Sequence, residues 1–108
     1  MLTNSSLLKK HGYVNGQWVG DDANSRFDVT NAYSNEVISS LPDMGKKETD
    51  EAIDAANNAW SEWRARTAKE RAGILKKWFD LIMANQEDLA ILMTAEQGKP
   101  IAEARGEV

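Results

Sequence analysis

The chain has 108 residues, no cysteine, 28% charged side chains and a formal net charge of -4, a size and balance that allow one soluble domain and a small core. Without a thiol it has no disulfide, thiolate metal site or cysteine nucleophile. A mildly acidic chain with no basic stripe argues against a nucleic-acid partner, and no stretch approaches the roughly 20 apolar residues of a membrane span.

Residues 1–12 are polar apart from Leu7 and Leu8. They fit no secretory signal, so they read as a flexible tail and the expected compartment is the cytosol. Asn15-Gly16 between Tyr13-Val14 and Gln17-Trp18-Val19 is the pair a type I′ hairpin demands, because both central residues need positive φ. Residues 21–26 are turn material. Phe27, Val29 and Asn31 then alternate with Asp28 and Thr30 at the two-residue period of a strand. A further strand is expected over residues 36–41, paired through the turn formers at 31–35 into a second hairpin, and Pro42-Asp43-Met44-Gly45 ends the β part.

From Lys46 the period turns helical. Ala52, Ile53, Ala56, Ala59, Trp60 and Trp63 mark a face that is Ala-rich at its start and aromatic at its end, which suits close packing against a neighbour. Thr67 with Glu70 forms a capping box that starts a second helix, and Ile74, Leu75, Trp78, Phe79 and Ile82 give it one apolar face. Asn85 with Asp88 repeats the cap logic for a third helix, whose face is continued by Leu89, Leu92 and Met93. Gly98 before Pro100 is its natural terminator. Residues 101–108 read as a further helix, either frayed or cut short after about two turns, and the cost of helix nucleation favours the second. The expected fold class is α+β, with hairpins over residues 13–42 and three to four helices over 46–108.

Chemistry is sparse. His11, the one histidine, lacks a cysteine or second histidine for a dyad or zinc site and reads as a solvated residue at the hairpin entrance. The carboxylates at Glu48, Asp50, Glu51 and Asp54 lack the calcium-loop spacing and suit the positive end of a helix dipole. Trp60, Trp63 and Trp78 offer either a stacking platform or core packing, and their place on apolar helix faces favours the core. Gly16, Gly20, Gly45 and Gly98 form no dinucleotide fingerprint. Read from the residues alone, the chain has no active site.

Tyr13-Val-Asn-Gly-Gln-Trp-Val, Phe27-Asp-Val-Thr-Asn, Glu36-Val-Ile, Pro42-Asp-Met-Gly, Ala52-Ile-Asp-Ala-Ala, Trp63-Arg-Ala-Arg-Thr-Ala-Lys-Glu-Arg-Ala and Thr94-Ala-Glu-Gln-Gly-Lys-Pro-Ile-Ala-Glu-Ala-Arg-Gly-Glu-Val resemble the N-terminal part of aldehyde dehydrogenases. The nearest likeness is to bacterial succinate-semialdehyde dehydrogenases. One departure is Ala32, where the family usually has proline after the Thr-Asn pair. The resemblance implies the opening strands and helices of a nucleotide-binding α/β domain, in an enzyme that also has a catalytic domain and an oligomerisation arm. In such enzymes a cysteine attacks the aldehyde, hydride passes to NAD or NADP, and a glutamate activates the water that releases the acid.

By the same resemblance, the cysteine, the glutamate, the ribose-binding residues and the glycine-rich turn all lie in sequence beyond Val108. The chain alone is therefore expected to have no catalytic or cofactor-binding residue, to bind no cofactor and to be inactive. One site is implied in part: a monovalent cation held by backbone oxygens at Val29 and Glu96, with a third protein ligand from later sequence. The plainer alternative places Glu96 simply in a helix C-terminal turn. The expected partner is the remainder of the enzyme, or a second copy through exposed apolar helix faces. The rival reading is a free-standing helical module for self-association or docking.

Overall fold

The structure is a computed structural model and describes residues 2–108. Its order is β1 (Gly12–Val14), β2 (Gln17–Val19), β3 (Arg26–Thr30), β4 (Val37–Pro42), α1 (Lys46–Ala65), α2 (Ala68–Ala84), α3 (Gln86–Gln97) and α4 (Ile101–Glu107). The two antiparallel hairpins, β1–β2 and β3–β4, remain separate two-stranded sheets. The α+β class and the hairpins-then-helices order are as expected, and the helices number four.

The local signals act as their chemistry requires. Asn15 and Gly16 take φ of 50° and 75°, which sets Tyr13 opposite Trp18, with ring centroids 4.8 Å apart. In β3–β4 the register runs from Arg26 opposite Pro42 to Val29 opposite Ser39 and then slips, so that Thr30 faces Val37. That slip is a β-bulge leaving Ile38 unpaired. The start of α2 is the expected capping box: Thr67 Oγ1 accepts the Glu70 amide at 3.2 Å, and a Glu70 carboxylate oxygen accepts the Thr67 amide at 2.7 Å. The Thr67 amide and hydroxyl both donate to that carboxylate, at 2.7 and 2.8 Å, and hold the Glu70 carboxyl below the usual carboxylate range.

The cap expected at Asn85 and Asp88 is corrected. Asn85 (φ -113°, ψ 14°) closes α2 and opens α3 at once and makes no side-chain cap bond. Its Nδ2 instead donates back to the Leu81 carbonyl at 2.8 Å. With no extended residue between the helices, the side chain cannot fold over the new first turn. Asp88, buried to 6% exposure, turns away from its helix and accepts the amides of Thr3 and Asn4 at 2.8 and 2.7 Å. Residues expected as a tail therefore include a bound segment, with Asn4 capping a short 3-10 turn over Ser5–Leu7. Farther along, Arg26 Nη2 donates to the carbonyls of Lys10 and Ser40 at 3.0 and 2.7 Å.

The core is small and lies between α3 and α4. Ala90 and Ala104 are both at 0% exposure, so the helix pair approaches closely because neither residue projects beyond a methyl group. Arg105 Nε donates to Glu87 at 2.6 Å, and Gln86 Nε2 donates to the Arg105 carbonyl at 3.0 Å. The core role expected of the tryptophans is corrected for Trp60 and Trp78, while Trp63 is half-buried. Trp60 and Trp78 are 55% and 63% exposed, and Ile53, Leu75, Phe79 and Leu81 are exposed beside them. The reason is geometric: α1 and α2 do not pack along their lengths, so their stripes meet no second layer here. The Ala-rich part of α1 finds a neighbour in the tip of β1–β2, with Ala52, Ala55, Ala56 and Ala59 facing Tyr13 to Gly16. The radius of gyration is 16.7 Å, against about 13 Å for a compact domain of this length.

Replacing Ala104 by Leu should force α4 off α3 and cost about 1–3 kcal/mol in chemical denaturation. The hydrogen bond from Arg105 and its charge hold the Glu87 carboxyl below its ordinary 4.5. A depressed folded value stabilises the fold above 4.5 and loses that contribution as pH falls through the lowered value. The melting-temperature difference between wild type and Glu87→Gln should accordingly be present at neutral pH and shrink on acidification; a difference that persists at low pH counts against the pair.

Candidate cation site at the junction of β3 and α3

Two features close α3. Gly98 adopts φ 74°, ψ 9°, and its amide donates to the Thr94 carbonyl at 2.8 Å. This left-handed stop is one only glycine takes without strain. Two residues on stands Pro100, which has no N–H, so the Glu96 carbonyl lacks the donor that the fourth residue along normally supplies. It lies at the negative end of the helix dipole, where a cation is favoured. Thr94 Oγ1, in the same turn, is buried without a hydrogen-bond partner.

The facing element is β3 and the turn after it. Val29 is half-buried and sits where the bulge begins. Beyond it the Asn31 side chain accepts the amides of Tyr33 and Ser34 at 2.9 and 3.0 Å, an Asx turn that holds the loop compact. The Ala32 amide then donates to the Ala95 carbonyl at 3.0 Å. This bond ties the β3–β4 turn to the last turn of α3, and a proline at position 32 has no N–H with which to make it.

The structure thus places Val29 and Glu96 on elements that pack against each other, with the Glu96 side chain itself exposed. The donors on offer are backbone oxygens, hard ligands that suit a hard cation. Among the described residues no three His, Asp or Glu side chains gather as a metal site. The carboxylates opening α1 have other partners. Glu48 Oε2 accepts the Gly45 amide at 2.9 Å, Asp50 pairs with Lys46, and Glu51 lies 3.9 Å from Lys47. His11 pairs with Asp21 at 2.7 Å at the mouth of the first hairpin.

Among the described residues, the strand-to-helix turn from β4 into α1 suits a pyrophosphate poorly. Glu48 already occupies the Gly45 amide, and the adjoining cleft sets Asp22, Asp43, Glu48 and Glu51 against the single cation of Lys47. No helix among the described residues is long and apolar enough to cross a membrane.

Residues 18–108 match the model of the Aldehyde dehydrogenase family. The chain belongs to that family. It is 51% identical over 107 residues to the NADP(+) succinate-semialdehyde dehydrogenase GabD of Escherichia coli (strain K12), covering 99% of this chain and 22% of that protein. It is 50% identical, over the same shares, to a glutarate-semialdehyde dehydrogenase of Pseudomonas putida. The crystal structure of a succinate-semialdehyde dehydrogenase from Burkholderia pseudomallei superposes with a TM-score of 0.94 at 48% identity, covering 98% of this chain and 22% of that one. The chain therefore spans about 22% of the length of the curated relatives it matches.

Sequence reasoning missed Asp88 and Arg26 as organising residues, and no local signal marks either. It found Gly98 but not the Ala32 bond. A Gly98→Ala substitution forces a Cβ into left-handed backbone and to 3.3 Å from the Ala32 Cβ. It should destabilise the fold by about 1–2 kcal/mol and speed exchange of the Ala32 amide. An unchanged melting temperature would show that the left-handed stop is dispensable.

Proposed function

We propose that this aldehyde dehydrogenase chain is the opening scaffold of an NAD(P)-dependent enzyme that oxidises small aldehydes carrying a terminal carboxylate, succinate semialdehyde foremost. The carrying observation is the identity of 51% and 50% to succinate- and glutarate-semialdehyde dehydrogenases across 99% of the chain. Both names describe an aldehyde with a carboxylate at its far end, which defines the substrate class.

In this reading the chain contributes architecture. It has no cysteine to form a covalent adduct with the aldehyde, and the acidic lining beside its strand-to-helix turn supports a cofactor site elsewhere. The nucleophile, the base and the cofactor site belong to the rest of the polypeptide. The exposed stripe bearing Trp78, Phe79 and Leu81 is the surface that the rest covers, since an apolar patch of this kind seldom stays bare in a stable protein. Val29 and Glu96 supply backbone oxygens to a monovalent cation at the junction of β3 and α3, and the Glu96 carbonyl, deprived of its helical donor by Pro100, supports that role.

The assay is reduction of NAD or NADP by succinate semialdehyde, followed by nicotinamide absorbance. The complete polypeptide should turn over, and the 108-residue chain alone should give nothing. Turnover by this chain alone would overturn the assignment of its chemistry elsewhere, and a complete polypeptide ending at Val108 would favour a free-standing association module.

A further inference from the structure

Helix α3 is attached to the β3–β4 hairpin near both of its ends, by different means. Near its C-terminal end the Ala95 carbonyl accepts the Ala32 amide at 3.0 Å. Near its N-terminal end there is no direct bond to the hairpin. There the Asp88 carboxylate, 6% exposed, accepts two successive amides, of Thr3 and Asn4, at 2.8 and 2.7 Å. Two adjacent N–H groups converging on one anion make a small nest, here filled by a side chain more than eighty residues away in sequence. The segment leaving that nest runs to the hairpin. Ser39 Oγ donates to the Lys9 carbonyl at 3.4 Å, and Arg26 bridges the Lys10 and Ser40 carbonyls at 3.0 and 2.7 Å.

We infer that residues 3–10 are a strap that sets the orientation of α3, with Asp88 as its clamp and Arg26 as its anchor on the sheet. A helix is a stiff rod, and the turns at Asp88 and Ala95 lie about 10 Å apart along its axis. Held at both points it is fixed in direction; held only at Ala95 it pivots about a single hydrogen bond. Asp88 is a positioning residue, acting on α3 through the strap, and trimming the first residues of the chain loosens α3 from the hairpin.

The test is amide hydrogen exchange on the full chain, comparing wild type, Asp88→Ala and a deletion of residues 2–4 that leaves α3 untouched should the point variant fail to fold. Loss of the clamp should accelerate exchange at Ala32 at least about tenfold, the factor expected from even one of its two charge-assisted hydrogen bonds. Amides inside α3 and α4 should keep their protection, because their mutual packing is not altered. Arg26→Gln should produce the same acceleration at Ala32 while leaving the Thr3 and Asn4 amides protected. The inference fails if the Ala32 amide exchanges at the wild-type rate once the clamp is gone. It fails equally if the Thr3 and Asn4 amides of the wild type exchange like those of an unstructured peptide.

Discussion

The structure depends on the close approach of α3 to its neighbours. Ala90 and Ala104, both at zero exposure, lie on α3 and α4, which pack against each other. On other sides α3 takes the Ala32 amide on its last turn and the Thr3 and Asn4 amides on its first. Each of these is a short-range contact with little tolerance for added volume or a missing donor. One twelve-residue helix thus joins the hairpin, the opening segment and the last helix into one piece.

What surrounds that piece is unfinished by the measure of its own surface. The capping box makes α2 begin where it does, and its i,i+4 spacing makes it amphipathic, yet Trp78, Phe79 and Leu81 lie in the open. Burial of one such side chain is worth about 1.5–3 kcal/mol, so a face of several is a strong demand for a second surface. The breadth of 47 × 36 Å against a thickness of 19 Å says the same thing in shape: this is a slab, and a slab of this size buries little of itself. The chain spans about 22% of the length of its curated relatives, and under the proposed function the second surface comes from the rest of the enzyme.

The candidate cation site shows how local and distant effects combine. Gly98 supplies the last helical donor, to the Thr94 carbonyl, and Pro100 removes the one that the Glu96 carbonyl would otherwise take, and that much is local. The neighbouring Ala95 carbonyl is taken instead from outside the helix, by the Ala32 amide. That second contact comes from the turn between β3 and β4, in a position where proline could not serve.

Sequence by itself determined the elements whose stabilising bonds reach no more than about four residues. These are the Asn15-Gly16 turn, the Thr67–Glu70 box and the Gly98 stop, together with the strand and helix periods between them. In each the chemistry is complete within the segment, so it reads directly. Tertiary structure decided the rest. Asp88 looked like a cap residue because caps are local, and it became a clamp because an amide pair from the far end of the chain competes for the same carboxylate. The tryptophans looked like core because periodicity reports which face is apolar and is silent on whether anything lies opposite. Burial is a property of two surfaces, and a sequence states only one of them at a time.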